Sequence, residues 1–310
     1  MMGKIITNDF SWSISRAALF QTCQRAYYFH YYGSWGGWDK NADTTKRTLY
    51  ILKQMKTLAM WAGTIVHDTI RETLTSYAKG TIVFPDTAML QNIAVEKMRS
   101  GWREAVKKTY LESPKATNLF ELYYGNGVSL PREVTDALKA RVLDCMENFS
   151  LSPAVAKLKA TPFAQWRPID TLDNFQMDGL KIWAAPDFAY SDQDGIFHII
   201  DWKTGNENKE SLRLQLACYA LFAIQKWSVG LDKIALEGVF LRDGGRISPY
   251  SINQEHLEAA KEQIRRSAQA MESKITDKEK NLVDEESCPC SPSPDHCSNC
   301  FFRQVCPAIN

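Results

Sequence analysis

Apolar residues recur at three- and four-residue spacing through the first half of the chain, and alternate or cluster in short runs through parts of the second. Ile14, Ala18, Leu19, Thr22, Ala26 and Phe29 form a stripe that predicts a helix over 13–32, capped by Ser13 or Ser15. The glycine- and tryptophan-rich stretch 33–43 predicts a loop. A second helical region covers 48–78, interrupted near Gly63, and further helices cover 85–110 and 131–149. A Gly125-Asn126-Gly127 turn separates the last two, and Pro131 suits a first helical turn. After Thr161 the period changes. Residues 180–190 and 196–202 predict paired strands, joined by the polar Ser191-Asp192-Gln193-Asp194-Gly195. Leu212, Leu216, Ala220 and Ile224 predict a helix over 211–227. A hairpin over 234–241 and 247–252 turns at Asp243-Gly244-Gly245, a charged amphipathic helix covers 254–274, and 277–294 is a polar, proline-containing linker. The class is α/β: a small mixed sheet with helices, carrying a helical insertion at about 80–165, and no internal repeat.

Where the pattern turns to strands, the chemistry concentrates. Asp187 falls at the end of one strand, and Asp201 and Lys203 lie two apart on the next. Strand side chains alternate, so Asp201 and Lys203 share a face and Trp202 points the other way. Gln215 and Tyr219 lie four apart on the following helix and share a face too. Paired carboxylates suit hard divalent cations such as Mg²⁺. A lysine beside them suits an attacking water or the negative charge that builds on phosphorus. The grouping fits phosphodiester hydrolysis, with the Trp202 backbone carbonyl as a further metal ligand. Taken singly, each residue has a plainer role: a solvated strand end for Asp or Lys, core packing for Tyr219. His67, among Ile65, Val66 and Ile70, reads by itself as a core histidine, with metal ligation as the alternative.

In order, these residues resemble the RecB-like branch of the PD-(D/E)XK nucleases. Pro186-Asp187 is similar to its "PD", Asp201-Trp202-Lys203 to its "(D/E)XK", and Gln215-x-x-x-Tyr219 to its accessory pair. The resemblance implies a restriction-endonuclease-like core, a mixed sheet flanked by helices. It also implies Mg²⁺- or Mn²⁺-dependent DNA cleavage, most simply by an exonuclease on DNA ends or single strands. His67, Asp187 and Asp201 would be metal ligands, Lys203 the catalytic lysine, and Gln215 and Tyr219 its orienting partners. The roles left open by the resemblance include DNA repair and CRISPR-associated spacer acquisition. A helicase or another nucleic-acid-processing protein is the kind of partner it suggests.

Cys297, Cys300 and Cys306 follow a C-x2-C-x5-C spacing. Both zinc and iron–sulfur sites ordinarily take a fourth ligand. Cys288 and Cys290 are nearest in sequence, and Cys23 is the alternative. The segment from Ser13-x-Ser15 through Cys23 to Tyr27, Tyr28 and Phe29 resembles the iron–sulfur members of the same nuclease family, the AddB nuclease subunits and CRISPR-associated RecB-like exonucleases. On that resemblance Cys23, Cys297, Cys300 and Cys306 hold a [4Fe–4S] cluster, with Zn²⁺ on the same sulfurs as the alternative. Gln24 departs from the proline often found after the first cysteine. Cys145 and Cys218 lie among apolar residues and read as core. The expected organisation is one nuclease domain over 1–310, with a catalytic core at about 166–275 and a cysteine module at about 288–310 closing onto Cys23.

Composition adds bounds. The 310 residues are 45% hydrophobic and 24% charged, ordinary for a globular protein. A formal net charge of +1 means that DNA must be drawn by a local basic groove. One such set is Lys97, Arg99, Arg103, Lys107 and Lys108 interleaved with Trp102 and Tyr110, which reads equally as a solvated helix face. Trp35 and Trp38 are another stacking candidate. There is no apolar run of membrane-spanning length and no secretory signal pattern. Eight cysteines then suggest thiols or metal ligands in a reducing compartment, and a cytoplasmic location.

Overall fold

Ser13 opens the first helix by accepting the Arg16 amide on its hydroxyl at 3.1 Å. A computed structural model describes residues 7–125 and 130–309, so Asn126 and Gly127 of the expected turn lie outside the described residues. The single helix expected over 13–32 is divided. α1 (Ile14–Thr22) ends at Cys23, whose backbone is extended (φ −161, ψ 116), and α2 (Gln24–Tyr28) starts there. A π-helical turn, Phe29–Gly33, follows. Beyond the break, Tyr27 enters one core cluster while Ala26 and Phe29, on another face of the same run, enter a second.

α3 (Thr44–Lys53) and α4 (Leu58–Ala78) are capped by Asp43 and Thr57. The expected interruption falls at 54–57, not at Gly63, where α4 runs on. Gly63 serves packing instead: a Cβ there would stop 3.1 Å from Thr204 Oγ1. At the actual break the Lys56 backbone pairs with the strand-like segment at Leu119, through Lys56 N–Asn118 O (3.0 Å) and Phe120 N–Lys56 O (2.9 Å). α5 (Thr87–Val106) ends before Lys108 turns to φ 55; α6 (Phe120–Tyr123), α7 (Arg132–Leu151) and α8 (Pro153–Ala160) follow. α8, unforeseen, is nucleated by Ser152 and Pro153 at its first turn.

The strand expected over 180–190 is two. β1 (Asp173–Met177) and β2 (Leu180–Ala184) form a hairpin through the left-handed Asp178 (φ 53) and Gly179 (φ 79). Pro186 offers no ladder N–H, and pairing restarts at β3 (Phe188–Ser191). β4 (Phe197–Lys203) pairs antiparallel with β3. α9 (Lys209–Lys226) crosses over to β5 (Ile234–Phe240), parallel to β4, and β6 (Arg246–Tyr250) returns antiparallel. The main sheet has the order β3-β4-β5-β6 and is mixed, as expected. α10 (Gln254–Glu272) comes next. The expected linker instead holds structure: β7 (Ile275–Asp277) and β8 (Leu282–Val283) form a hairpin, and Val283 and Cys288 are buried. α11 (Pro294–Ser298) leads into the last cysteines.

The sheet lies between two helical layers. Ala189, Ile199, Leu236 and Phe240 face a core built with α1, α9, α10 and the β1-β2 hairpin. Phe188, Ile200, Trp202 and Val239 face a second core built with α4, α5, α7 and α8. Trp202 is 1% exposed and meets the Phe149 ring edge-on at 5.1 Å. The β5-β6 turn is locked to the end of α7: Asn148 Nδ2 donates to Leu241 O at 2.8 Å, and a Cβ on the left-handed Gly245 would strike Asn148 O at 2.8 Å. A third core joins the two ends of the chain, packing Ala26, Phe29, Leu52 and Phe120 against Phe302. Around it, Arg25 Nε donates to Cys288 O (2.8 Å), Tyr124 Oη to Phe301 O (2.7 Å), and the Arg303 guanidinium sits 3.7 Å over the Tyr124 ring.

Candidate active site

Alternation along β4 puts Asp201 and Lys203 on the α9 side of the sheet and Trp202 on the other, as the two-residue period requires. Lys203 Nζ stands 2.5 Å from Asp201 Oδ2 and donates to Gln215 Oε1 at 2.8 Å. Gln215 Nε2 donates to Asp201 Oδ1 at 2.8 Å and contacts Tyr219 Oη at 2.8 Å. Tyr219 Oη reaches the Ala185 carbonyl (3.0 Å) and Asp201 Oδ1 (3.3 Å). Gln215 therefore holds the lysine and the carboxylate at once, from one helical turn. Tyr219 ties that network to the residue just before Pro186.

Asp187 enters from the break between β2 and β3. Its Oδ2 accepts the Trp202 backbone N–H at 2.7 Å, and its Oδ1 lies 3.3 Å from His67 Nδ1. His67 is on α4, one turn beyond Gly63, so the close approach of α4 to Thr204 sets its reach. Structure thus gathers five side chains named from the sequence, Asp187, Asp201, Lys203, Gln215 and Tyr219, with His67 at the edge. Sequence reading missed Asp170. Its amide donates to Asp187 O at 3.0 Å, its carboxylate lies 3.8 Å from Arg71 Nη1, and burial followed by the Asp187 charge holds its pKa above the usual carboxylate value. Asp170 comes from a loop and takes φ 39, which no periodicity signals.

Burial pushes the Asp201 carboxyl up, and the Asp187 charge adds to it; Lys203 opposes both, leaving the pKa at about 6. Burial acts to lower His67, but the charge and hydrogen bond of Asp187 outweigh it and push the imidazole up to about 9. Burial, then Asp201 and Asp187, hold the Tyr219 phenol well above its ordinary value. In this arrangement the two carboxylates are neutralised by the protein's own cations. Among the described residues no three His, Cys, Asp or Glu side chains are drawn together tightly enough to hold a metal ion as they stand. The donor set nonetheless fits a hard divalent cation: two nearly buried carboxylates face one region, Asp201 2% and Asp187 8% exposed, with an imidazole beside them. His67 and Lys203 would have to move off the carboxylates.

Metal ligation requires a neutral imidazole, whereas His67 keeps its proton up to about pH 9. If His67 is a ligand, uptake of Mn²⁺ at pH 7.5 releases about one proton, and log affinity rises with a slope of about one until the pH passes 9. Calorimetry in buffers of different ionisation enthalpy reads this directly. His67→Ala should remove the slope; a slope unchanged in that variant takes His67 out of the ligand set.

The cysteines gather elsewhere. Cys23, Cys297, Cys300 and Cys306 line one cavity of about 520 Å³, and Cys290 lines it too. Cys290 Sγ lies 3.8 Å from Cys306 Sγ. Cys288 is fully buried beside this cavity and off its wall. Burial raises the Cys300 thiol pKa, the Phe302 amide opposes, and Cys23, Cys306 and Cys297 raise it further. Soft thiols gathered around one cavity suit a soft metal ion or cluster. Cys145 and Cys218 are buried in the two main cores.

The basic helix face divides. Arg99, Arg103 and Trp102 line a groove, Lys97 is bound to Glu72 at 2.7 Å, and Tyr110 is 3% exposed against Tyr123 and offers no free ring. Trp35 and Trp38 pack edge-on at 4.9 Å, with Trp38 against Tyr50. No helix among the described residues is long and apolar enough to cross a membrane.

Against known proteins, no curated relative matches this chain. A solved structure, titled the crystal structure of SSO0001, is similar over 57% of this chain and 78% of that one, at 19% identity and a TM-score of 0.29. The family model of the PD-(D/E)XK nuclease superfamily matches residues 11–307, a span that takes in His67, the Asp187–Tyr219 site and the cysteine cavity. This chain belongs to the PD-(D/E)XK nuclease superfamily.

Proposed function

We propose that this nuclease is a Mg²⁺- or Mn²⁺-dependent deoxyribonuclease of the RecB-like, iron–sulfur kind, acting on DNA ends or single strands. The observation that carries the reading is the closed network of Asp201, Lys203, Gln215 and Tyr219 beside Asp187 and His67. His67, Asp187, Asp201 and the Trp202 carbonyl would hold the metal, whose part is to polarise the phosphate and lower the pKa of a bound water. Lys203 orients the attacking water or balances the charge growing on the phosphoryl oxygens. Gln215 fixes the lysine. Tyr219, with its phenol kept protonated, donates to the Asp201 carboxylate and steadies its orientation. Cys23, Cys297, Cys300 and Cys306 hold a [4Fe–4S] cluster in a structural role. A helicase or related DNA-processing protein is the fitting partner.

The test is cleavage of 5′- and 3′-labelled oligonucleotides, single- and double-stranded, with Mg²⁺, Mn²⁺ or chelator. Shortening from one labelled end, abolished by chelator, is expected. Binding to DNA ends without cleavage in either metal would instead mark a catalytically silent DNA-end-binding module. Zinc without iron or sulfide in anaerobically purified protein, together with no DNA binding, would mark a protein-binding adaptor.

A further inference from the structure

The α5–α7 face carries a groove that the catalytic network does not use. Its cavity is about 510 Å³, and its floor is apolar, with Trp61, Met98 and Trp102. Gly101 makes the floor possible: a Cβ there would come within 3.0 Å of Trp61 Cζ2, so α5 lies hard against Trp61. The two indoles stand 6.4 Å apart, tilted 36°. Trp102 remains half-buried, with part of its surface open to the groove.

The lining is cationic. Arg99, Arg103, Arg132 and Lys139 are answered there by one acid, Asp136. Arg99 pairs with Glu96, and Arg132 with Asp136 at 3.4 Å, both exposed pairs that contribute little and exchange readily. Arg103 and Lys139 are exposed, and among the described residues no carboxylate forms an ion pair with either. An aromatic floor edged with cations is complementary to an unpaired nucleobase flanked by phosphates. Duplex DNA keeps its base faces stacked and has no face to give to the floor.

The helices that carry the groove also reach the catalytic strand. Trp61 and His67 share α4, six residues or about 9 Å apart along its axis. Two residues beyond Lys139 on α7, Arg141 Nη2 donates to Thr204 O at 2.6 Å, on the residue after Lys203.

We infer that the Trp61–Trp102 groove is a binding subsite for unpaired DNA, stacking a base on Trp102 and holding its neighbouring phosphates on Arg103 and Lys139. For its substrate class it rests on the nuclease reading above. It adds that the strand lies across α5 and α7 on its way to the metal-binding side chains, so the helical insertion selects single strands.

The test uses labelled oligothymidine and a blunt duplex of equal length, with the full chain in chelator, read by fluorescence anisotropy across a salt series. Oligothymidine should bind more tightly than the blunt duplex. Trp102→Ala should weaken oligothymidine binding roughly 5- to 100-fold, and Trp102→Phe much less. Arg103→Ala combined with Lys139→Ala, both on the surface, should lower the salt slope by about 1.4. Unchanged affinity and slope in Trp102→Ala and in the double variant, or equal binding of the blunt duplex with equal losses, would overturn the inference. The two readings fail separately. Wild-type cleavage with unaffected variant binding removes the groove alone, whereas variant binding losses with no metal-dependent cleavage remove the nuclease reading alone.

Discussion

Asp201→Asn should abolish metal-dependent cleavage, with kcat at least about 10³-fold down, and leave the fold intact. Asn preserves the shape, and its side-chain oxygen still accepts from Gln215 and Tyr219. It cannot supply the charge that a divalent cation and Lys203 both require. Stability should move differently. Burial raises the Asp201 pKa to about 6, so the folded state holds the proton more tightly than the unfolded chain does. The ionised carboxylate therefore costs the wild type stability as pH rises from about 4 through 6. The Asn variant has no such loss. Its stability relative to wild type should climb over that window and level off above it, whatever the offset from the unpaired lysine. Denaturant titrations at pH 4, 5, 6 and 8, run beside the cleavage assay, check both halves. Full activity in the variant would refute the catalytic assignment; a flat stability difference would refute the burial account of Asp201.

Cys23→Ser should strip the proposed cluster and loosen the Cys23 and Phe302 segments together. Metal–thiolate sites contribute on the order of 10 kcal/mol to the folding of the small modules that they hold. Here the module is slight: α11, a short turn over Arg303–Val305, and the contact of Phe302 with Phe29. Iron and acid-labile sulfide should fall to background. Hydrogen exchange should show lost protection at the Val305 and Ile309 amides, while the β4 and β5 amides stay protected. Cys290→Ser is the control. Cys290 lines the same cavity, and the cluster should survive its loss. Iron retained in Cys23→Ser but lost in Cys290→Ser would make Cys290 the fourth ligand.

Much of the site was legible because its geometry is periodic. A strand sends i and i+2 to one face, so Asp201 and Lys203 could be paired and Trp202 set apart without coordinates. A helix brings i and i+4 together, which gave Gln215 and Tyr219. What was missed depends on tertiary contact. Gly63 reads as a helix breaker, yet α4 runs through it, and the missing Cβ gives Thr204 its space. Pro186 was in view, but its power to split 180–190 depends on β2 and β3 having different partners, β1 and β4. Asp178-Gly179 is a hairpin turn, but its first strand, β1, has a weak strand pattern in sequence. Asp170 arrives from an irregular loop, where side-chain direction has no period at all. Cys290 reached the cavity through the folded β7-β8 segment, which sequence reading had as a polar linker.

The core that joins Ala26 and Phe29 to Phe302 also sets an order in time. Every residue from Ala26 to Phe302 must be synthesised before the two can meet, on the order of tens of seconds after the first of them emerges. The sheet and its two flanking cores need only residues that are made earlier, so they can collapse first. Until Phe302 arrives, the early helices expose aromatic surface and the Cys23 thiol. The newborn protein is therefore most vulnerable to aggregation and oxidation until Phe302 has emerged, and the iron and sulfur of the proposed cluster would be best delivered once it has.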